Sequence, residues 1–201
     1  MTKYILNSGG LKNYPEKADK FNKEIVKGLG SVPRVLFCHF AIPQELWEEK
    51  FSIYSQRFLE SMDKGISPTI ELAAPDTFEE QLGNCDVVLM HGGYDDLLLE
   101  QLKKYNLPDA WEGKVVVGSS AGSDVLANYF YGCDSRRVEE GLGILPIKFF
   151  PHFKSEYGQD DPRGPIDWDS AYTELKNHKE DLPIFALEEG DYIVLEKWWR
   201  S

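Results

Sequence analysis

Nothing in this 201-residue sequence approaches the roughly eighteen consecutive apolar residues of a membrane span, so a helical membrane protein is not expected. Cysteine is scarce. Cys38, Cys85 and Cys133 are an odd number without metal-ligand spacing, which argues against a disulfide framework and fits reduced thiols in a cytoplasm. Basic residues are few as well: 22 against 34 acidic ones, for a formal charge of −12. Such a balance repels phosphate backbones and anionic lipid surfaces, so neither nucleic acid nor membrane is an expected partner. Internal repeats, low-complexity tracts and long linkers are also missing, and one domain over residues 1–201 is expected. The opening Met1-Thr2-Lys3-Tyr4 runs straight into a strand pattern rather than a secretory signal, so a cytoplasmic location is the expectation.

What the sequence does have is an alternation of two periodicities. Short apolar runs at residues 4–6, 34–38, 69–72, 86–90 and 115–117 read as buried strands. Between them lie helical spacings: Phe21, Ile25 and Leu29; then Trp47, Phe51, Tyr54, Phe58 and Met62; then Leu98, Leu102 and Tyr105. Alternating strand and helix imply parallel strands joined by right-handed crossovers. The predicted fold class is therefore α/β, a three-layer, doubly wound and mostly parallel sheet. Later apolar runs at 144–150, 184–187 and 192–196 follow, the last two joined through Glu188-Glu189-Gly190-Asp191 and read as a C-terminal hairpin at a sheet edge.

Gly118-Ser119-Ser120-Ala121-Gly122 carries the chemistry. It lies between the strand at Lys114-Val115-Val116-Val117 and a helix-forming run over residues 123–130. A G-x-S-x-G in that setting is a nucleophile elbow, a turn so tight that the central side chain is thrust out at the strand's end. Ser120 is then a nucleophile, and the two glycines remove Cβ atoms that would strike the neighbouring backbone. In open parallel sheets chemistry gathers at the carboxyl ends of the strands. His39, His91-Gly92-Gly93-Tyr94-Asp95 and Ser120 all fall there. A diglycine at that place lets backbone N–H groups turn inward as half of an oxyanion hole, or serves only as a tight turn; the N–H of Ala121 would be the other half.

A serine nucleophile needs a base, and four histidines are available. His178 lies on a charged helical face. His91 precedes the glycines and satisfies a turn as readily as it takes a proton. His39 sits among Phe37, Cys38 and Phe40. His152, in Phe149-Phe150-Pro151-His152-Phe153, is released from a strand end into aromatic surroundings that keep an imidazole neutral near pH 7, and it is the expected base.

With Gly118-Ser119-Ser120-Ala121-Gly122, Gly141-Leu142-Gly143-Ile144-Leu145-Pro146 and His152-Phe153 in hand, the chain resembles the peptidase E (aspartyl dipeptidase) family of serine peptidases. That family shares a layered α/β fold with class I glutamine amidotransferases. The resemblance runs from Asn7-Ser8-Gly9-Gly10 to the closing strands. It implies Ser120 as nucleophile, His152 as base, and Gly93 and Ala121 as oxyanion donors. It also implies an acidic third member after the serine, for which Asp134 is the nearest match, with Glu139 and Glu140 in the same segment still open. A basic residue after the histidine would hold an acidic substrate side chain; Arg163 is expected there, unless it is a loop arginine paired with Asp160 or Asp161. His91 and Tyr94 replace residues the family often has as glycine and asparagine, and their side chains are expected to narrow or re-polarise the substrate pocket. No metal or organic cofactor is implied. The expected activity is acyl-enzyme hydrolysis of short peptides, with N-terminal Asp-X dipeptides as the narrower expectation. The alternatives are an esterase or non-aspartyl peptidase on the same scaffold, or a catalytically silent binding homologue. A glutaminase is disfavoured because Ser120 stands where that chemistry uses cysteine. Monomer and homodimer are both open.

Overall fold

The computed structural model describes residues 1–196. The five apolar runs become β1 (Lys3–Asn7), β2 (Arg34–Cys38), β3 (Thr69–Leu72), β4 (Val87–Met90) and β5 (Val115–Ser119), which pair in parallel in the order β1-β5-β4-β2-β3. Helices α1 (Pro15–Val26), α2 (Trp47–Glu60), α3 (Phe78–Asn84) and α4 (Asp95–Leu102) alternate with them. Strand side chains point alternately to opposite faces, and both faces are apolar. Ile5, Val35, Phe37, Val87, Leu89 and Val117 pack with Phe21 and Ile25 of α1 and Phe58 of α2. Tyr4, Leu6, Leu36, Val88 and Val116 pack on the other side with Phe78, Leu82, Leu98 and Leu102. Burial on two faces is what holds a parallel sheet, at about 1.5–3 kcal/mol for each large apolar side chain removed from water. Among the described residues no helix is long and apolar enough to cross a membrane.

Beyond the elbow the chain builds a second sheet. Helix α5 (Ala121–Asp124) is a single turn, not the helix expected over residues 123–130. It gives way to β6 (Ala127–Gly132), because Tyr129, Phe130 and Tyr131 alternate across a pleat and suit a two-sided strand. With β7 (Arg137–Glu140), β8 (Leu145–Phe150) and β9 (Ile184–Ala186) it forms a sheet in the order β7-β6-β8-β9. Phe130, Leu145, Ile147 and Phe149 join the core under the main sheet. Tyr129, Tyr131 and Phe150 face α6 (Trp168–Asn177) through Ala171 and Leu175.

The α/β class is as expected, but the closing hairpin is not. β9 pairs in parallel with β8, whereas β10 (Tyr192–Glu196) crosses to the main sheet and pairs antiparallel with β1. Two vacant strand edges explain the divergence: each offers a full ladder of hydrogen bonds, and a hairpin added at one edge would leave the other unpaired. The connection is pinned where it passes β1, with Ser8 N–H donating to the Asp191 carbonyl at 3.0 Å and Gly190 N–H to that of Gly9 at 2.8 Å. The β8–β9 register continues past the strands. Leu187 N–H donates to the Phe150 carbonyl at 3.0 Å and Phe153 N–H to that of Leu187 at 2.9 Å. This sets residues 187–190 beside His152.

Candidate active site

Ser120 sits at φ 50°, ψ −118°, a strained conformation for a non-glycine residue that aims its side chain away from β5. Close packing enforces the bend. A Cβ on Gly122 would lie 2.2 Å from the Met90 carbonyl oxygen, and one on Gly118 would lie 2.3 Å from that of Gly122. Asn7 at the end of β1 braces the turn: its carbonyl accepts from Ser120 N–H at 2.9 Å and from Ser123 Oγ at 2.9 Å, and its Oδ1 accepts from Ser119 Oγ at 3.1 Å.

The Ser120 Oγ lies 3.1 Å from His152 Nε2, and His152 Nδ1 lies 3.0 Å from Glu189 Oε1. A carboxylate on Nδ1 selects the tautomer that carries its proton there, which leaves Nε2 free to accept. His152 is only 6% exposed, and burial lowers its pKa below the ordinary histidine value, against the upward pull of Glu189. Three contacts hold the ring. Its backbone N–H donates to Ser8 Oγ at 2.7 Å; Ser8 Oγ donates in turn to the Leu187 carbonyl at 2.9 Å; and Tyr157 stacks on the imidazole with centroids 4.1 Å apart. Gly9 closes the top of the pair. A Cβ there would stand 2.7 Å from His152 Cε1 and 3.1 Å from Ser120 Cβ, at a φ of +94°. Gly9→Ala is therefore expected to displace the imidazole and lower kcat roughly 10²-fold, with a smaller change in KM, in steady-state kinetics.

Comparison with family models matches residues 4–198 to Peptidase family S51. The chain belongs to that family. Solved structures with the same fold include a peptidase from an acI-B1 Actinobacterium, 20% identical at a TM-score of 0.70, covering 97% of this chain and 83% of that one. They also include a candidate peptidase E protein from Listeria monocytogenes EGD-e, 15% identical at a TM-score of 0.67, covering 98% and 96%. No curated protein sequence matches. Family membership makes this chain a serine-type peptidase.

Within this S51 peptidase the sequence-expected residues part company. Ser120 and His152 come together. Gly92 lies beside them, since a Cβ on it would be 3.0 Å from Ser120 Cβ. Among the described residues the N–H groups of Gly93 and Ala121 reach no backbone acceptor. Asp134 does not reach His152. It is exposed, and its Oδ1 accepts from the Tyr157 hydroxyl at 2.8 Å; it acts on the imidazole through the stacked ring and through its charge, which pulls the His152 pKa upward. Glu140 pairs with Lys179, and Glu139 lies 3.5 Å from Arg137. Glu189 takes the place expected of Asp134. Its place inside the expected hairpin turn, 37 positions beyond His152, hides it from a reading of the sequence. A cue was present: the acidic Glu188-Glu189 follows a strand whose parallel pairing with β8 must end beside His152.

One of the two pocket substitutions also differs from expectation. The His91 ring does not project into a substrate pocket. It stacks on Tyr54 at 4.7 Å and meets Phe37 and His39 at 4.8 and 4.4 Å, an aromatic nest between β2, β4 and α2. Tyr94 is 57% exposed at the start of α4, directly after the diglycine. Arg163 is paired within its own loop in the unliganded chain. Its guanidinium takes both oxygens of Asp161, at 2.9 and 2.6 Å, and donates to the Asp134 carbonyl at 2.7 Å. His39 is buried, both ring nitrogens lack hydrogen-bond partners among the described residues, and desolvation lowers its pKa to about 4; it is a core residue.

Proposed function

We propose that the chain hydrolyses short peptides through an acyl-enzyme carried on Ser120. The unbroken chain of contacts from Ser120 Oγ through His152 to Glu189 is the observation that supports this most. In this reading His152 Nε2 takes the hydroxyl proton as Ser120 attacks the scissile carbonyl, and Glu189 stabilises the imidazolium that results. The N–H groups of Gly93 and Ala121 receive the oxyanion. His152 then passes its proton to the leaving amine, and water, deprotonated by the same ring, releases the acid. Because the base acts when neutral, kcat/KM is expected to fall as pH drops through the His152 pKa. Burial places that value below 6.5, so a pH–rate profile should show its acid limb beneath 6.5.

The narrower reading is a preference for peptides that begin with aspartate, read by Arg163. Its guanidinium rests on the backbone of Asp134, the residue that holds Tyr157 against His152. A substrate carboxylate would exchange with Asp161 in the bidentate fork. The test is a panel of Asp-, Ala- and Lys-p-nitroanilides on wild type, R163Q and S120A. The expected result is that wild type favours Asp, R163Q loses that preference with its Ala activity kept, and S120A is inert on all three. Equal rates on the three anilides would end the aspartate reading and leave the peptidase standing. Activity in S120A would end the acyl-enzyme mechanism itself.

A further inference from the structure

Asp95 opens α4 just after the Gly92-Gly93 turn, and Asp124 closes α5, which Ser120 and Ala121 begin. The two helices pack together, and the two carboxyl groups lie near enough that each acts on the other's titration. Asp124 is 3% exposed. The buried Oδ1 of each aspartate has no donor among the described residues. A carboxylate only accepts, so two of them can bond to each other only if one keeps a proton. The charged groups that face the pair increase that demand: Glu139 on β7, Asp134 in the turn after β6, and Asp96 on α4, all acidic. The Cys133 thiol is the other titratable neighbour. Burial raises Asp95 to about 7 and Asp124 well above the ordinary carboxyl value, so one proton stays on the pair at neutral pH.

We propose that Asp95 and Asp124 share a single proton, and that this bridge is a positioning element for the peptidase, holding the diglycine turn against the elbow helix. The inference rests on the serine-peptidase reading given above. The bridge ties residue 95 to residue 124, so it fixes the spacing between the two backbone N–H groups which that reading assigns to the oxyanion, those of Gly93 and Ala121. Loss of the shared proton at high pH leaves two facing carboxylates that repel, and the donors part. The site thereby acquires an alkaline limit that belongs to neither Ser120 nor His152.

The test measures kcat against pH, and thermal midpoint against pH, in wild type, D124N and D124L. An asparagine amide supplies the missing hydrogen permanently; a leucine supplies none. A raised carboxyl pKa in the folded state means that stability is lost as pH climbs from the unfolded value toward the folded one. Wild type is thus expected to lose about 3 °C or more relative to D124N between pH 6 and 8.5. Over the same range kcat should fall roughly tenfold in wild type and stay level in D124N, while D124L should be slow throughout. Parallel midpoint curves for wild type and D124N would overturn the shared proton. Diverging midpoints with parallel kcat curves would overturn the positioning role. Midpoints repeated on S120A report the proton without any catalysis, so failure of the bridge is separable from failure of the peptidase mechanism.

Discussion

Replacing Ser120 with alanine is expected to lower kcat/KM on a peptide substrate by roughly 10⁵- to 10⁶-fold while the thermal midpoint barely moves. The side chain's only bond among the described residues is to His152, whereas the backbone of residue 120 makes the contacts that fold the elbow. Its N–H donates to Asn7 and its carbonyl accepts from Ser123 and Asp124; alanine keeps all three. The strained φ is imposed by Gly118 and Gly122, which the substitution leaves in place. The residual rate, carried by the oxyanion donors and binding, should still exceed that in water. Steady-state kinetics together with a melting curve read both halves of this result, and an active S120A would place the nucleophile elsewhere.

The second large effect separates two carboxylates. Glu189→Gln is expected to cost roughly 10⁴-fold in kcat. Glutamine keeps the shape but can present an N–H to His152 Nδ1, which turns the ring's proton toward Nε2 and against the Ser120 hydroxyl. Asp134→Asn should cost less than about tenfold, because an asparagine oxygen still accepts from Tyr157 and the stacked ring stays in place. Comparing the two variants under one set of conditions removes differences of substrate and preparation. A larger loss in D134N than in E189Q would return the acid's role to the segment first expected to hold it.

The main sheet and the elbow were legible because their signals are local. Each parallel strand is a continuous apolar run, and Gly118 and Gly122 mark a turn whose sterics admit nothing larger. His152 was legible for a similar reason, as a polar residue where a strand meets a proline. Glu189 was not, because its role depends on which strands pair: read as a hairpin turn it points nowhere, and read as a crossover between two sheets it must pass His152. The same non-local choice hid β6. Residues 123–130 suit a helix by composition, but β8 supplies a strand edge that takes the aromatic run instead. His91 shows the opposite limit: its backbone position beside the diglycine was right, but nothing in the sequence says that its ring turns toward Tyr54.

One measurement bears most directly on the central claim, that burial and a carboxylate make the Ser120 hydroxyl nucleophilic. Wild type, S120A, H152A and E189Q are each treated with a fluorophosphonate, and the site and rate of adduct formation are read by mass spectrometry. The expected outcome is one adduct per chain on Ser120 in wild type, far slower labelling in H152A and E189Q, and none in S120A. Folded wild-type protein that takes no label, or takes it equally fast without His152, would contradict it.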